Sequence, residues 1–261
     1  MRPWVKITLL IALALVVLGT ALAGLAWTLG AHTSIQWQNG RFRIIERGVT
    51  QEFEQTLESF DRIDLRLDIA NVTIQHGVGY HISGRYQAQE LLFHVENGVL
   101  IVDEVRVPAG RAMFSIGLIH NNEGSTVLIT VPSATVLDAL FLEVGVGRID
   151  LRNVAADRTT VTLGIGNIYG ENVALEDTVL QAGMGNIAVN GALSGRNEMQ
   201  VGTGNVTLTL EGYQQQFTHS WQTGVGNTSI TGGAATVPVE QVGSLHVSVG
   251  MGNIRVTFLG S

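Results

Sequence analysis

From about residue 60 onward, apolar and polar residues alternate in short runs, the period of a β-strand with one buried face. The runs come in pairs: Leu142, Val144 and Val146 precede Ile149 and Leu151, and Leu180, Ala182 and Met184 precede Ile187 and Val189. Within each pair the phase slips by one residue, which makes the chain turn a corner between two strands. Each slip carries the same mark. Gly145-Val146-Gly147-Arg148 is followed by Gly164-Ile165-Gly166-Asn167, Gly183-Met184-Gly185-Asn186, Gly202-Thr203-Gly204-Asn205, Gly224-Val225-Gly226-Asn227 and Gly250-Met251-Gly252-Asn253, at offsets of 19, 19, 19, 22 and 26 residues. Three equal steps and two longer ones are the signature of a coil with loop insertions.

The pattern assigns different work to the two glycines. The second one (Gly147, Gly166, Gly185, Gly204, Gly226, Gly252) sits at the slip, where the absence of Cβ permits a tight bend. The asparagines that follow (Asn167, Asn186, Asn205, Asn227, Asn253) tolerate left-handed geometry and, stacked, form an amide ladder. The first one (Gly145, Gly164, Gly183, Gly202, Gly224, Gly250) falls on the outward phase and makes a column without side chains, a candidate docking strip for a glycan or a partner segment. A glycine-free copy lies earlier, where Leu65, Leu67 and Ile69 precede Asn71, Val72 and Ile74. The expected fold is all-β: a single-chain parallel β-solenoid, a right-handed β-helix of about 19 residues per coil, over residues 59–261. Its last coil runs to Phe258-Leu259-Gly260-Ser261 without a visible cap, which predicts self-association or partner pairing there.

The first 31 residues break the pattern. Ile7 to Leu29 holds no charge, long enough for one transmembrane helix, with Arg2 and Lys6 before it and Trp4 and Trp27 near its ends. The expectation is a single-pass anchor at 1–31, with the N-terminus in the cytoplasm and the rest in the periplasm or at the cell surface. The rival is a signal peptide cleaved at Ala21-Leu22-Ala23. Residues 32–58 read as a stalk, and the spacing of Phe53, Leu57 and Phe60 admits a short helical cap.

Composition narrows the chemistry. Of 261 residues 32 are glycine and 4 proline, 45% are hydrophobic and none is cysteine. That excludes disulfides and thiolate metal sites and argues against disorder. After the apolar segment 13 arginines face 22 acidic residues, which disfavours nucleic acid as a partner. The corner carries a neutral amide at period nineteen, unlike the aspartate nonapeptides of calcium rolls. The seven histidines do not recur at the coil period; His76 and His81 flank one turn. Asp157 and Glu176 stack as at most one carboxylate pair, and no nucleophile elbow or phosphate loop is present. Three sequons, at Asn71, Asn205 and Asn227, fall on corners and are explained by the turn. No catalytic residue, cofactor or metal ligand is therefore expected.

Thr126-Val127-Leu128-Ile129-Thr130-Val131-Pro132, then Leu140-Phe141-Leu142-Glu143-Val144-Gly145-Val146-Gly147 and the Gly-x-Gly-Asn coils together resemble the bacterial "putative adhesin" domains of unknown function, including the head GIN domain and its toast-rack relatives. The likeness covers about residues 60–261 and departs from the pattern at Arg148, Asp68 and Ala70. It implies an exported, membrane-associated and non-enzymatic protein, and no more. The function expected on that basis is a binding or scaffold module that presents a rigid rod to a glycan, a cell-wall polymer or an envelope protein. Relatives in phage-shock and Lia-type systems supply the alternative of a sensory or regulatory component. A polysaccharide-active enzyme is the remote alternative.

Overall fold

The computed structural model describes residues 34–38, 41–45, 51–86, 91–104, 114–116, 124–233, 235 and 238–260. Its strands are β1 (Ser34–Gln38), β2 (Arg41–Ile45), β3 (Gln51–Thr56), β4 (Arg62–Gly77), β5 (His81–Tyr86), β6 (Leu91–Glu96), β7 (Val99–Glu104), β8 (Phe114–Ile116), β9 (Thr126–Pro132), β10 (Val136–Leu137), β11 (Ala139–Arg152), β12 (Ala155–Ala156), β13 (Thr159–Glu176), β14 (Thr178–Leu210), β15 (Phe217–Val225), β16 (Thr228–Gly232), β17 (Gly243–Met251) and β18 (Ile254–Phe258). They fall into two units. In the first, residues 1–47 and 108–120, β2, β1 and β8 form a three-stranded antiparallel sheet. The second, residues 48–107 and 121–261, holds a 15-stranded sheet.

At the centre of the large sheet β4, β11, β13 and β14 run parallel, with Leu140 beside Thr159 and Thr159 beside Thr178. β4, β11 and β13 are each bent by one corner into two halves, and β14, with corners at Gly183–Gly185 and Gly202–Gly204, makes two such passes. Leu142, Leu163 and Leu180 from the first halves and Ile149, Ile168 and Ile187 from the second halves share one buried cluster. A third, short stretch joins β10, β12 and the end of β13.

The expected clean parallel solenoid is corrected in two respects. The first is that the sheet is open and mixed. On the far side of β4, β7 and β9 continue the parallel order, but β6 runs antiparallel to β7, β5 to β9 and β3 to β5. Local chemistry explains the reversal of β6. Asn97 and Gly98 both adopt positive φ (50° and 76°), the two-residue turn that reverses a strand rather than winding it on. The expected helical cap is likewise a strand, β3, with Phe53 packed against the core.

The second departure is the order of the last windings. β17 and β18 lie directly against β14, and β15 and β16 lie outside them. The inward positions give the reason. Leu245, Val247 and Val249 of β17 are buried, whereas the paired positions of β15 are His219, Trp221 and Thr223. Burying the apolar strand and leaving the more polar one at the margin avoids desolvating polar groups and blunts the edge. The C-terminal strands are thus interior, and the edge belongs to residues 217–232.

The expected transmembrane helix and single-pass membrane localisation are also corrected. Among the described residues no helix is long and apolar enough to cross a membrane. Residues 7–29, on which that expectation fell, lie outside the described residues.

Candidate functional site

The corner is built from three adjacent columns. The first glycines, Gly145, Gly164, Gly183, Gly202, Gly224 and Gly250, are exposed. They are also tightly stacked: a Cβ on Gly202 would stand 2.5 Å from the Gly183 carbonyl oxygen, and one on Gly250 2.5 Å from that of Gly202. The strip is a surface that tolerates no side chain of its own. The second glycines, Gly147, Gly166, Gly185, Gly204, Gly226 and Gly252, hold φ between 137° and 150°, a region closed to L side chains, and a Cβ there would overlap the neighbouring backbone.

Between these strips stands the middle residue of each motif, and its placement differs from the sequence reading. The alternation puts Val146 and Met184 on the buried face; both are exposed, as are Ile165 and Met251 at the same motif position. Pairing passes from Val144–Leu163 to Val146–Ile165 without the first glycines, so the corner opens at the first glycine, two residues before the second. Ile69, Val146, Ile165, Met184, Thr203, Met251 and Val225 follow one another across neighbouring strands, and the six apolar ones are 42–70% exposed. Six spacings of about 4.8 Å make a ridge roughly 29 Å long. Alternation alone could not find it, because four residues separate buried Val144 from buried Ile149 and period two does not say where among them the slip falls.

On the far flank the asparagines form a continuous amide ladder. Asn167 Oδ1 accepts from Asn186 Nδ2 (2.8 Å) and N (3.0 Å), and Asn186 Oδ1 from Asn205 Nδ2 (2.9 Å) and N (3.1 Å). Asn205 Oδ1 accepts from Asn253 Nδ2 and N, and Asn253 Oδ1 from the Asn227 backbone N–H. In β11 the ladder position holds Arg148, whose guanidinium instead forks onto Asp150 at 2.7 and 2.8 Å and lies 4.2 Å from the Tyr169 ring centroid. The hydrogen bond to Asp150 raises the already high Arg148 pKa further.

The remaining candidates are dispersed. His81 Nδ1 lies 3.3 Å from Thr56 Oγ1, and its Nε2 is 3.5 Å from Glu54, both on the antiparallel strands. Among the described residues no group of three or more His, Asp or Glu is arranged to hold a metal ion. Sequence reasoning missed Tyr86, whose hydroxyl donates to Glu104 Oε2 at 3.0 Å while the same oxygen accepts the Asp68 N–H at 3.1 Å. Burial, then the Glu104 hydrogen bond and charge, push the Tyr86 phenol pKa upward.

These features place the chain in a known class. It belongs to the Toastrack DUF4097 family, whose model matches residues 60–259. No curated protein matches it. Among solved structures it is similar to a "putative cell adhesion protein" from Clostridium sporogenes (14% identity, 80% of this chain and 100% of that one, TM-score 0.42). It is also similar to a "putative adhesin" from Bacteroides fragilis (14% identity, 80% and 97%, TM-score 0.44) and a "putative lipid binding protein" from Parabacteroides distasonis (16% identity, 82% and 95%, TM-score 0.39). Family membership fits a non-enzymatic binding module.

Proposed function

We propose that the chain is a non-enzymatic binding module that takes a protein partner along its corner. The observation that carries this reading is the ridge from Ile69 to Val225. Six exposed Ile, Val and Met side chains in line contribute little to the core, and contiguous apolar surface of this kind marks contact sites in soluble domains. The flanking glycines sharpen the argument. From β11 onward neither strip carries a side chain, so a partner's backbone can approach the ridge from both sides and cover it. The strips hold no charge apart from Asp68 at one end, so an apolar partner segment meets no desolvated ion along most of its path.

The test places a photo-reactive residue at Met184 in the full chain, expressed in its native cells, with Glu96 of β6 as the control position. A protein adduct of discrete mass at Met184, absent at Glu96 and abolished by Ile165→Asp, is expected. Equal labelling from Glu96, labelling indifferent to Ile165→Asp, or an adduct that is saccharide would overturn the reading.

A further inference from the structure

A second surface, independent of the ridge, lies on the outer face of the strands after the corner. There the outward column runs Asp150, Tyr169, Ala188 and Thr207, from β11 through β13 to the two passes of β14. Alanine between a tyrosine and a threonine leaves a gap two strand spacings wide, roughly 9.6 Å, floored by one methyl group. The result is a hollow of about 250 Å³. Typical sites for drug-sized ligands hold ~300–1,000 Å³, so this one fits a single ring.

Tyr169 is held as a wall. Arg148 covers its ring from the β11 side, and Arg148 is fixed in turn by the bidentate bond to Asp150, itself only 8% exposed. The opposite ring face looks across Ala188, on the next strand. The polar rim comes from the column beyond. Pairing of β13 with β14 shifts between Gly170 and Val173, a bulge that sets Glu171 beside Asn190, and Thr207 and Thr209 close the far wall. Bulges of this kind re-aim side chains next to binding sites.

The lining selects a chemistry. Two guanidinium groups, Arg148 and Arg152, are balanced by two carboxylates, Asp150 and Glu171, so neither an anion nor a cation gains from entering. What remains is an aromatic face for C–H groups, an apolar floor, and hydroxyl, amide and carboxylate groups at the edge for hydroxyls. We infer that the hollow between Tyr169 and Thr207 is a subsite for one neutral sugar ring of a glycan.

Isothermal titration and saturation-transfer NMR on the full chain, with cellotetraose, xylotetraose, chitotetraose and mannotetraose as probes and trigalacturonate as the charged comparator, test this. At least one neutral tetrasaccharide binds, with millimolar affinity or tighter, and trigalacturonate binds more weakly. Tyr169→Ala weakens binding about tenfold or more, Ala188→Phe abolishes it by filling the hollow, and Tyr169→Phe retains it. Thermal melts confirm that each variant is folded; all three changes lie on the outer face. Failure of every neutral probe, equal or better binding of trigalacturonate, or undiminished affinity in folded Tyr169→Ala and Ala188→Phe would overturn the assignment. None of these results depends on whether the ridge takes a partner.

Discussion

Asn253 donates both its side-chain amide and its backbone N–H to Asn205 Oδ1, at 3.0 and 3.1 Å, across forty-eight residues of sequence. Those two bonds tie the C-terminal strands to β14 at the corner, between the backbone pairings of β17 and β18 with it. The intervening segment 217–232 shares the motif and stands nearer in sequence, yet it is displaced to the outside. Asn227 reaches the ladder through its backbone N–H. Replacing Asn205 with alanine therefore removes an acceptor for two donors and should cost about 1–3 kcal/mol in urea unfolding, whereas Asn227→Ala should cost less than about 0.5 kcal/mol. Equal costs for the two would show that the ladder does not hold the windings in order.

The two glycines of each motif predict a graded series. Gly204→Ala places a methyl group on φ 141° and into the Gly185 backbone, and Gly202→Ala places one 2.5 Å from the Gly183 carbonyl. Both should lose several kcal/mol or fail to fold, with Gly204 the worse. Gly79 also has positive φ (78°), but nothing lies within 4 Å of its missing Cβ. Its alanine variant pays only the conformational term, about 1 kcal/mol. Soluble yield and melting temperature across the three variants check the order. A well-folded Gly202→Ala would return the first-glycine strip to the status of a free groove.

The strand content and the nineteen-residue repeat were legible because both are local. Alternation reports one buried face, and a Gly-x-Gly-Asn repeated in register reports a recurring turn. What escaped the sequence was decided by competition between distant segments. Whether β15 or β17 sits next to β14 depends on which inner face is more apolar, Leu245-Val247-Val249 or His219-Trp221-Thr223, and neither run declares that by its own period. The reversal of β6 is the exception, with a local signal in Asn97-Gly98. The ridge had half of one: the middle residues are visibly apolar, but their side of the sheet is set by how the first glycine leaves the pairing. Arg148 stood out as the missing asparagine of the ladder, and the hollow it helps to build needed Tyr169 and Ala188 on the adjoining windings as well.

Arg148 and Asp150 should behave as a unit. Arg148→Ala leaves the Asp150 carboxylate, 8% exposed, without its forked donor and should cost about 1–3 kcal/mol. The Arg148→Asn, Asp150→Asn double variant removes the charge along with its partner and puts an amide back at the ladder position. It should recover most of that loss. A double-mutant cycle by chemical denaturation measures the coupling, and strict additivity would refute it.

Tyr86 predicts a loss of stability in alkali. Its phenol is raised above the ordinary value of 10.0 by burial first and by Glu104 second, so the folded state resists losing that proton. Between pH 10 and the higher folded-state value the unfolded chain binds fewer protons than the native one. Stability present below pH 10 therefore falls as pH rises through that window. Tyr86→Phe has no proton to lose. It should melt lower than the wild type at pH 7, by roughly the 0.5–1.5 kcal/mol of the hydrogen bond to Glu104, yet lose less on going from pH 9.5 to 11. Parallel melting curves across that interval would exclude Tyr86 as the source of any alkaline slope.

Leu163 and Ile165 put the corner itself to the test. They stand two residues apart in one strand, and unbroken pairing would place both on the same face. Instead Leu163 is 1% exposed and Ile165 47%, because the chain steps out of its pairing at Gly164 between them. Leu163→Ala should leave a cavity and cost about 2–5 kcal/mol. Ile165→Ala removes a side chain that is half in water and should cost less than about 1 kcal/mol. Met184 and Met251 extend the comparison, since each sits two residues after a buried position, Ala182 or Val249. If Ile165→Ala proved as damaging as Leu163→Ala, the phase slip would lie beyond the second glycine and the ridge would be core. If it proved near-neutral, the apolar side chains at these positions would need a reason outside the fold, which is what a binding surface supplies.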